Sequence, residues 1–264
     1  MDLGLKGKKA LVTGSTAGIG LATARALASE GAAVTVNGRT ESRVREAVAQ
    51  IRSAVPEAVV DGIAADLGTA AGCGAVGDRL DDVDVLVNNL GIFEPKPFEE
   101  ITDDDWLRFF ETNVLSGVRL ARRYLPGMRG RNWGRIIFVS SESALQIPPE
   151  MIHYGTTKTA QLAVARGLAE TLAGTSVTVN SVLAGPTASE GVTTFVAQLA
   201  AGRGVDAATI EREFFSTARP SSVLRRFESP DEIAAMIVYL SSARASGTTG
   251  AAVRVDGGVV RAVA

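Results

Sequence analysis

Two residue types that carry much of the chemistry in other proteins are almost missing here. The 264-residue chain has one cysteine, Cys73, and one histidine, His153. A lone cysteine forms no internal disulfide, and a lone histidine leaves no Cys/His cluster for zinc, so no metal site is expected. This usage predicts a reducing compartment, the cytoplasm. An excess of either charge is missing too: 27 basic against 29 acidic side chains give a net charge of −2. The small basic clusters (Lys6, Lys8 and Lys9; Arg122 and Arg123; Arg129 and Arg131) are scattered, which is no footprint for nucleic acid. No apolar run reaches the roughly 18 residues of a membrane span. The lysines at positions 6 to 9 run into Ala10–Gly14, too short and glycine-rich for the apolar core of a signal peptide.

What the chain does have is 28 glycines and 46% hydrophobic residues. A chain of this length buries roughly three quarters of its unfolded surface without staples, and residues 1–264 are expected to form one domain. Short β-branched runs alternate with stretches of helical period. Seven strands are predicted at Ala10–Thr13, Ala33–Asn37, Val59–Ala64, Val83–Asn88, Arg135–Ser140, Val177–Val182 and Ala252–Val255. Helical stripes run through Ile19, Ala22, Ala26 and Leu27, and through 41–53, 103–128, 154–173 and 230–241. The alternation predicts an α/β fold of about seven parallel strands with helices on both faces. Ala188–Ser229 breaks the rhythm, with no strand signal, and reads as an insertion with its own helices, a candidate lid.

The first strand runs into Thr13-Gly14-Ser15-Thr16-Ala17-Gly18-Ile19-Gly20. Glycines at a strand-to-helix turn let backbone amides approach a pyrophosphate, and the helix start favours its charge. The spacing Gly-x-x-x-Gly-x-Gly resembles that of the short-chain dehydrogenase/reductase family. Further motifs fall in the order of that family: Asn88-Asn89-Leu90-Gly91, Asn113 in the following helix, Ser141 thirteen residues before Tyr154, and Tyr154-Gly155-Thr156-Thr157-Lys158. The resemblance spans residues 1–258, nearest to the branch of the 3-oxoacyl-[acyl-carrier-protein] reductases, and implies a doubly wound Rossmann-type sheet and a nicotinamide cofactor. Leu90 and Ala184 depart from it, standing where alanine and proline are usual.

Tyr154 and Lys158 are four apart and share a helix face. A phenol is a poor base at neutral pH, and a nearby ammonium should lower its pKa, so Tyr154 is the candidate acid/base. Ser141, at a strand end, should hydrogen-bond the same substrate oxygen. The resemblance adds that Lys158 holds the nicotinamide ribose and that Asn113 fixes a water relaying protons through that lysine. It implies a cofactor cradle of Gly14, Ser15, Thr16, Gly18, Ile19, Gly20, Asn89 and Gly91. Asn37, Arg39, Thr40, Asp66 and Leu67 fall at the adenosine end, with Gly185, Thr187 and Ser189 at the nicotinamide.

The second strand ends Asn37-Gly38-Arg39-Thr40 without a carboxylate, so a 2′-phosphate meets no repulsion there and Arg39 offers it a planar fork of donors. NADP(H) is the expected cofactor. NAD(H) is the alternative, with Arg39 a solvated or adenine-stacking residue. Asp66 equally suits a cap for a helix beginning near Leu67. His153 should point away from Tyr154, and Cys73 should be inert. Substrate identity should reside in Glu142, Gln146, Ile147, Pro149 and Met151, and in Val192, Phe195, Phe214 and Phe215 of the insertion. The implied substrate is an alcohol, a ketone or an acyl thioester, and the implied assembly a homotetramer or homodimer. The other readings are a non-catalytic dinucleotide-binding protein and a lyase or epimerase on the same scaffold.

Overall fold

The structure, a computed structural model, describes residues 1–263. Seven strands carry the chain back and forth: β1 (Lys9–Val12), β2 (Ala33–Gly38), β3 (Val60–Ala64), β4 (Val85–Asn88), β5 (Gly134–Ser141), β6 (Val177–Ala184) and β7 (Ala252–Val255). All pair in parallel, in the order β3-β2-β1-β4-β5-β6-β7. The order reverses between β1 and β4, and in such sheets ligands bind in the crevice beyond the strand ends at that point.

Successive strand residues face opposite sides of a sheet, and both sides here are apolar. Ala10, Val12, Val85, Val87, Ile137 and Val139 pack with α1 (Gly18–Ser29), α2 (Glu41–Ala54) and α9 (Pro230–Ser241). Leu11, Leu86, Ile136 and Phe138 pack with α3 (Ala70–Arg79), α5 (Ser116–Gly130) and α6 (Ile152–Glu170). Burial on two faces explains why these strands read as continuous hydrophobic runs. The helices start where side chains can cap them: Thr40 before α2, Thr69 before α3, and Ser229 with Glu232 and Pro230 at α9.

Two departures from the sequence reading bear on the site. The single helix expected over 103–128 is α4 (Asp103–Phe110), a π-helical turn over Glu111–Leu115, and then α5. The other is α3, which the periodicity did not reveal because Gly72, Gly74 and Gly77 dilute its pattern. Packing requires one of these glycines, since a Cβ on Gly72 would stand 2.0 Å from the Asp66 carbonyl oxygen. The 188–229 insertion holds α7 (Glu190–Arg203) and α8 (Ala207–Thr217), with Thr187 and Glu228 bridged at its base. Among the described residues no helix is long and apolar enough to cross a membrane.

Candidate active site

The turn after β1 is fixed by neutral side chains from neighbouring strands. Asn37 Oδ1 accepts from the Gly14 amide (3.3 Å), and its Nδ2 donates to the carbonyls of Ile63 and Ala65. Asn89 Nδ2 donates to the carbonyls of Thr13 (2.9 Å) and Gly14 (3.0 Å). Ser15 is fully buried, its hydroxyl donating to the Val12 carbonyl and accepting from the Asn37 amide. Gly14 sits at φ +58°, and a Cβ on Gly20 would lie 2.4 Å from the Gly14 oxygen and 2.5 Å from Asn89 Nδ2. At the head of α1, Ala17 supplies no side-chain cap and the first turn holds no acid. Its amides, around Gly18, Ile19 and Gly20, are left for an anion, so the cradle fits a dinucleotide pyrophosphate.

The adenosine end is more mixed. Arg39 is exposed, with no hydrogen bond or ion pair among the described residues. The Thr40 hydroxyl caps α2. Asp66 does not cap a helix at Leu67; it accepts from the Gly68 amide in a short turn, and Thr69 caps α3 at Ala70. Leu67 is 1% exposed, its side chain in the core. Ser15, Asn37, Thr40 and Leu67 thus have their side chains engaged with protein, and it is their main chain or position that they offer to a ligand. Thr16 lies beside Gly38.

Across the crevice, Ser141 ends β5 while Tyr154 and Lys158 rise on the first turns of α6. Lys158 Nζ lies 5.6 Å from the Tyr154 ring centre and donates to the Val139 carbonyl (2.9 Å) and to Gln161 Oε1 (3.5 Å). Gln161 Nε2 in turn donates to the main-chain carbonyl of Asn113 (2.5 Å), in the π-helical turn. The Asn113 side chain accepts from the Ile92 amide (2.8 Å) and donates to the Ile92 carbonyl and Thr157. A Cβ on Gly91 would stand 3.3 Å from Lys158 Nζ and 3.5 Å from Asn113 Oδ1. The sequence reading missed Gln161, whose signal was its place three residues beyond Lys158.

The expected lowering of the Tyr154 pKa is absent from this cleft. Burial raises the phenol well above its ordinary value, Ser141 and Arg219 counteract this in part, and Glu142 adds to it. Burial also brings the Lys158 ammonium down to about 8. Desolvation opposes the charged form of both groups and outweighs their proximity.

The floor of the cleft holds an ion pair. Glu142 Oε1 accepts from Arg219 Nε at 2.8 Å, and Arg219 Nη1 reaches Glu150 Oε1 at 3.3 Å. Glu142 Oε2 accepts from the Ser141 hydroxyl, the Ser143 amide (2.6 Å) and the Ser143 hydroxyl (2.8 Å). Arg219, just beyond α8, was not singled out from the sequence, where it is one of several charges in the insertion. The cavity above measures about 550 Å³ and is walled by Phe93, Met151, Val192, Phe195 and Phe214 among others. Phe215 instead packs inside the insertion against Phe214 and Phe227, and Gln146 reaches Ser221. Thr187 Oγ1 donates to the Gly185 carbonyl, and Ser189 lies against Gly18. Glu228, also missed, is 3% exposed; the Pro186 carbonyl accepts from its amide, its own carbonyl accepts from the Ala188 amide, and its Oε2 has no partner among the described residues.

His153 is turned away from the cleft, its ring centre 4.0 Å from that of Phe109, with neither nitrogen hydrogen-bonded among the described residues. Cys73 is buried, and burial raises its thiol pKa.

A glycine-lined cradle at the strand-order reversal, facing a Ser, Tyr and Lys across one cavity, defines a dinucleotide-binding α/β oxidoreductase. Comparison with known proteins names the family. The short chain dehydrogenase family profile matches residues 8–200. An uncharacterised oxidoreductase, YvaG of Bacillus subtilis, is 49% identical over the whole of both chains. A D-beta-hydroxybutyrate dehydrogenase of Cupriavidus necator is 34% identical over 97% of this chain and 99% of its own. Among solved structures, L-sorbose reductase of Gluconobacter frateurii, complexed with NADPH and L-sorbose, superposes with a TM-score of 0.93 at 33% identity over the full length of both. The chain belongs to the short-chain dehydrogenase family and is an oxidoreductase.

Proposed function

We propose that the protein interconverts a carbonyl compound and an alcohol with NADP(H), Tyr154 exchanging the proton with the substrate oxygen. The observation that carries this reading is the convergence of Ser141, Tyr154 and Lys158 on one cavity that opens toward the uncapped start of α1. When bound, the nicotinamide dinucleotide would supply the hydride for the carbonyl carbon. The remaining work belongs to the chain. Ser141 and Tyr154 hold the substrate oxygen, and Tyr154 donates the proton that turns it into an alcohol. Lys158, whose pKa of about 8 sits close to working pH, is placed to hold ribose hydroxyls and to favour the phenolate as the proton leaves. The chain Lys158–Gln161–Asn113 anchors that lysine.

The unpaired Arg39 and the absence of a carboxylate at the end of β2 support the phosphorylated dinucleotide, as does the NADPH in the L-sorbose reductase structure. Thr187, Gly185 and Ser189 would meet the carboxamide end. The working form in this reading is one 1–264 unit, cytoplasmic and assembled as a homotetramer or homodimer, acting on a small alcohol or ketone. Incubating the protein with NADPH or NADH and a panel of ketones, and following the nicotinamide absorbance, tests it. Turnover with NADPH that is lost in Tyr154→Phe, while that variant still binds NADPH by fluorescence, is the expected result; undiminished turnover in Tyr154→Phe would sink the assignment.

A further inference from the structure

Within the carbonyl-reducing site just proposed, and resting on that reading, one side chain has donors to spare. A guanidinium carries five N–H groups. On Arg219, Nε donates to Glu142 Oε1 at 2.8 Å, and Nη1 donates to Glu150 Oε1 at 3.3 Å and to the Ala218 carbonyl at 2.9 Å. The N–H groups of Nη2 have no partner among the described residues, and protein does not seal them off. Arg219 lines the same cavity as Ser141 and Tyr154, its guanidinium 5.8 Å from the ring centre of Phe214 in the apolar wall. Water can satisfy Nη2 before a substrate binds. A substrate lying along the floor displaces that water, and either brings an acceptor of its own or forfeits a hydrogen bond to a charged group.

The charges around Nη2 decide which acceptor suits it. Arg219 faces two carboxylates, Glu142 and Glu150, so negative charge is in excess on this floor. The other cations of the cavity are committed elsewhere: Lys158 donates to the Val139 carbonyl and Gln161, and Arg203 forms a two-pronged pair with Glu213. A substrate carboxylate against Nη2 would be a third anion around a single guanidinium, in a buried place where like charges repel more strongly than in water. An uncharged oxygen takes the same protons without that repulsion. Ser141 and Arg219 hold opposite oxygens of the Glu142 carboxylate. A substrate whose carbonyl meets Ser141 and Tyr154 therefore presents its second oxygen to Nη2 from a few bonds along the chain. We propose that Arg219 is a specificity-determining residue that selects ketones carrying a second, uncharged oxygen acceptor (an ester, an amide or another ketone), and that Glu150 turns the corresponding acids away.

The test is a matched set: methyl 4-oxopentanoate, 4-oxopentanoate and 2-heptanone, each reduced with NADPH at neutral pH. The ester and the plain ketone have chains of equal length, and the intervening methylenes insulate the reacting carbonyl from the ester. The wild type should favour the ester over the plain ketone by roughly 10-fold or more in kcat/KM, the worth of a hydrogen bond to a charged group. It should favour the ester over the acid by at least as much. In Glu150→Gln, whose amide oxygen can still accept from Nη1, the ester-to-acid ratio should fall by about threefold or more while the ester-to-ketone ratio holds. In Arg219→Lys, which keeps a cation for Glu142 and loses the spare nitrogen, the ester-to-ketone ratio should fall to within about threefold, with folding checked by melting temperature. Equal kcat/KM for ester and plain ketone in the wild type overturns the inference without reference to any variant, and so does an acid reduced as well as its ester. An ester preference that survives in a folded Arg219→Lys, or an ester-to-acid ratio unmoved in Glu150→Gln, overturns it too. Failure of the wild type to reduce any ketone while binding NADPH overturns the underlying carbonyl-reductase reading, and this inference with it; a plain ketone reduced as readily as the ester leaves that reading standing and sinks this one alone.

Discussion

At the glycine turn the backbone is fixed by Asn37, Asn89 and Thr13, all neutral, Asn37 within β2 and the other two one residue beyond the ends of β4 and β1. The insertion bearing α7 and α8 adds charged side chains to its main-chain bonds with the body: Arg43 pairs with Glu190, and Arg219 with Glu142 and Glu150, beside the amides of Val223 and Leu224 that donate to the Gly257 carbonyl. Its α7 face leaves Phe195 63% exposed and Leu199 37% exposed. In the proposed reading, the part of the ligand shared by a whole family would be met by main chain at the glycine turn. The part that varies would be met by side chains on the helices of the insertion. Loops carried on a fixed scaffold are where specificity can change without loss of the fold.

That contrast can be broken on either side. The largest effect is expected from Tyr154→Phe, which should lower turnover by about 10²- to 10⁴-fold while NADPH binding, read by fluorescence, stays within about twofold of wild type. Gly20→Ala should strike the rigid side: its Cβ must displace the Gly14 carbonyl, so a stability loss of about 1–3 kcal/mol by denaturant melt is expected, together with weakened NADPH binding. Arg39→Ala should weaken NADPH binding by roughly 10-fold or more and leave NADH nearly unchanged; equal losses for the two cofactors would remove the 2′-phosphate contact from the account.

Glu228 lies at the base of the insertion, bridged to Thr187. Burial raises the Glu228 carboxyl to about 7, and Glu232 and Asp256 push the same way. The folded protein therefore holds a proton there that the unfolded chain has released, and stability falls as pH rises from the ordinary glutamate value through about 7. Glu228→Gln removes this penalty, so the variant should be more stable than wild type by about 1–3 kcal/mol at pH 8 and match it below about pH 4. Thermal melts across that range provide the check. The smallest effect on the fold is expected from Phe195→Ala on the insertion, within about 0.5 kcal/mol by melt, with KM for a carbonyl substrate rising while KM for NADPH holds.

The same contrast explains what could be read in advance. The strand runs, the glycine turn and the Tyr-x-x-x-Lys pair are local patterns, and β7 spans the residues assigned to it. The cleft floor is a long-range product. Glu142 and Arg219 are separated by 77 residues, and nothing at either position announces the other. Glu228 has no local signal, because only the folded chain lays it beside Gly185 and Thr187. The phenol's pKa was misjudged for a related reason: spacing reports how close Lys158 stands to Tyr154, and burial, which dominates, is a property of the assembled cleft. The helix expected across 103–128 failed at Glu111–Leu115 because a π-helical turn leaves the apolar stripe almost unbroken.

That turn amounts to one surplus residue slipped into a helix, and its consequence is a change of phase. Upstream of it, Trp106 and Phe109 face α6 and enclose His153, one residue from Tyr154. Downstream, Leu120 and Tyr124 face the sheet. Without the extra residue the two stretches would be rotated against each other by about 100°, and only one of those faces could be buried. A single-residue deletion in this short stretch would therefore uncouple the support of α6 from the support of the sheet.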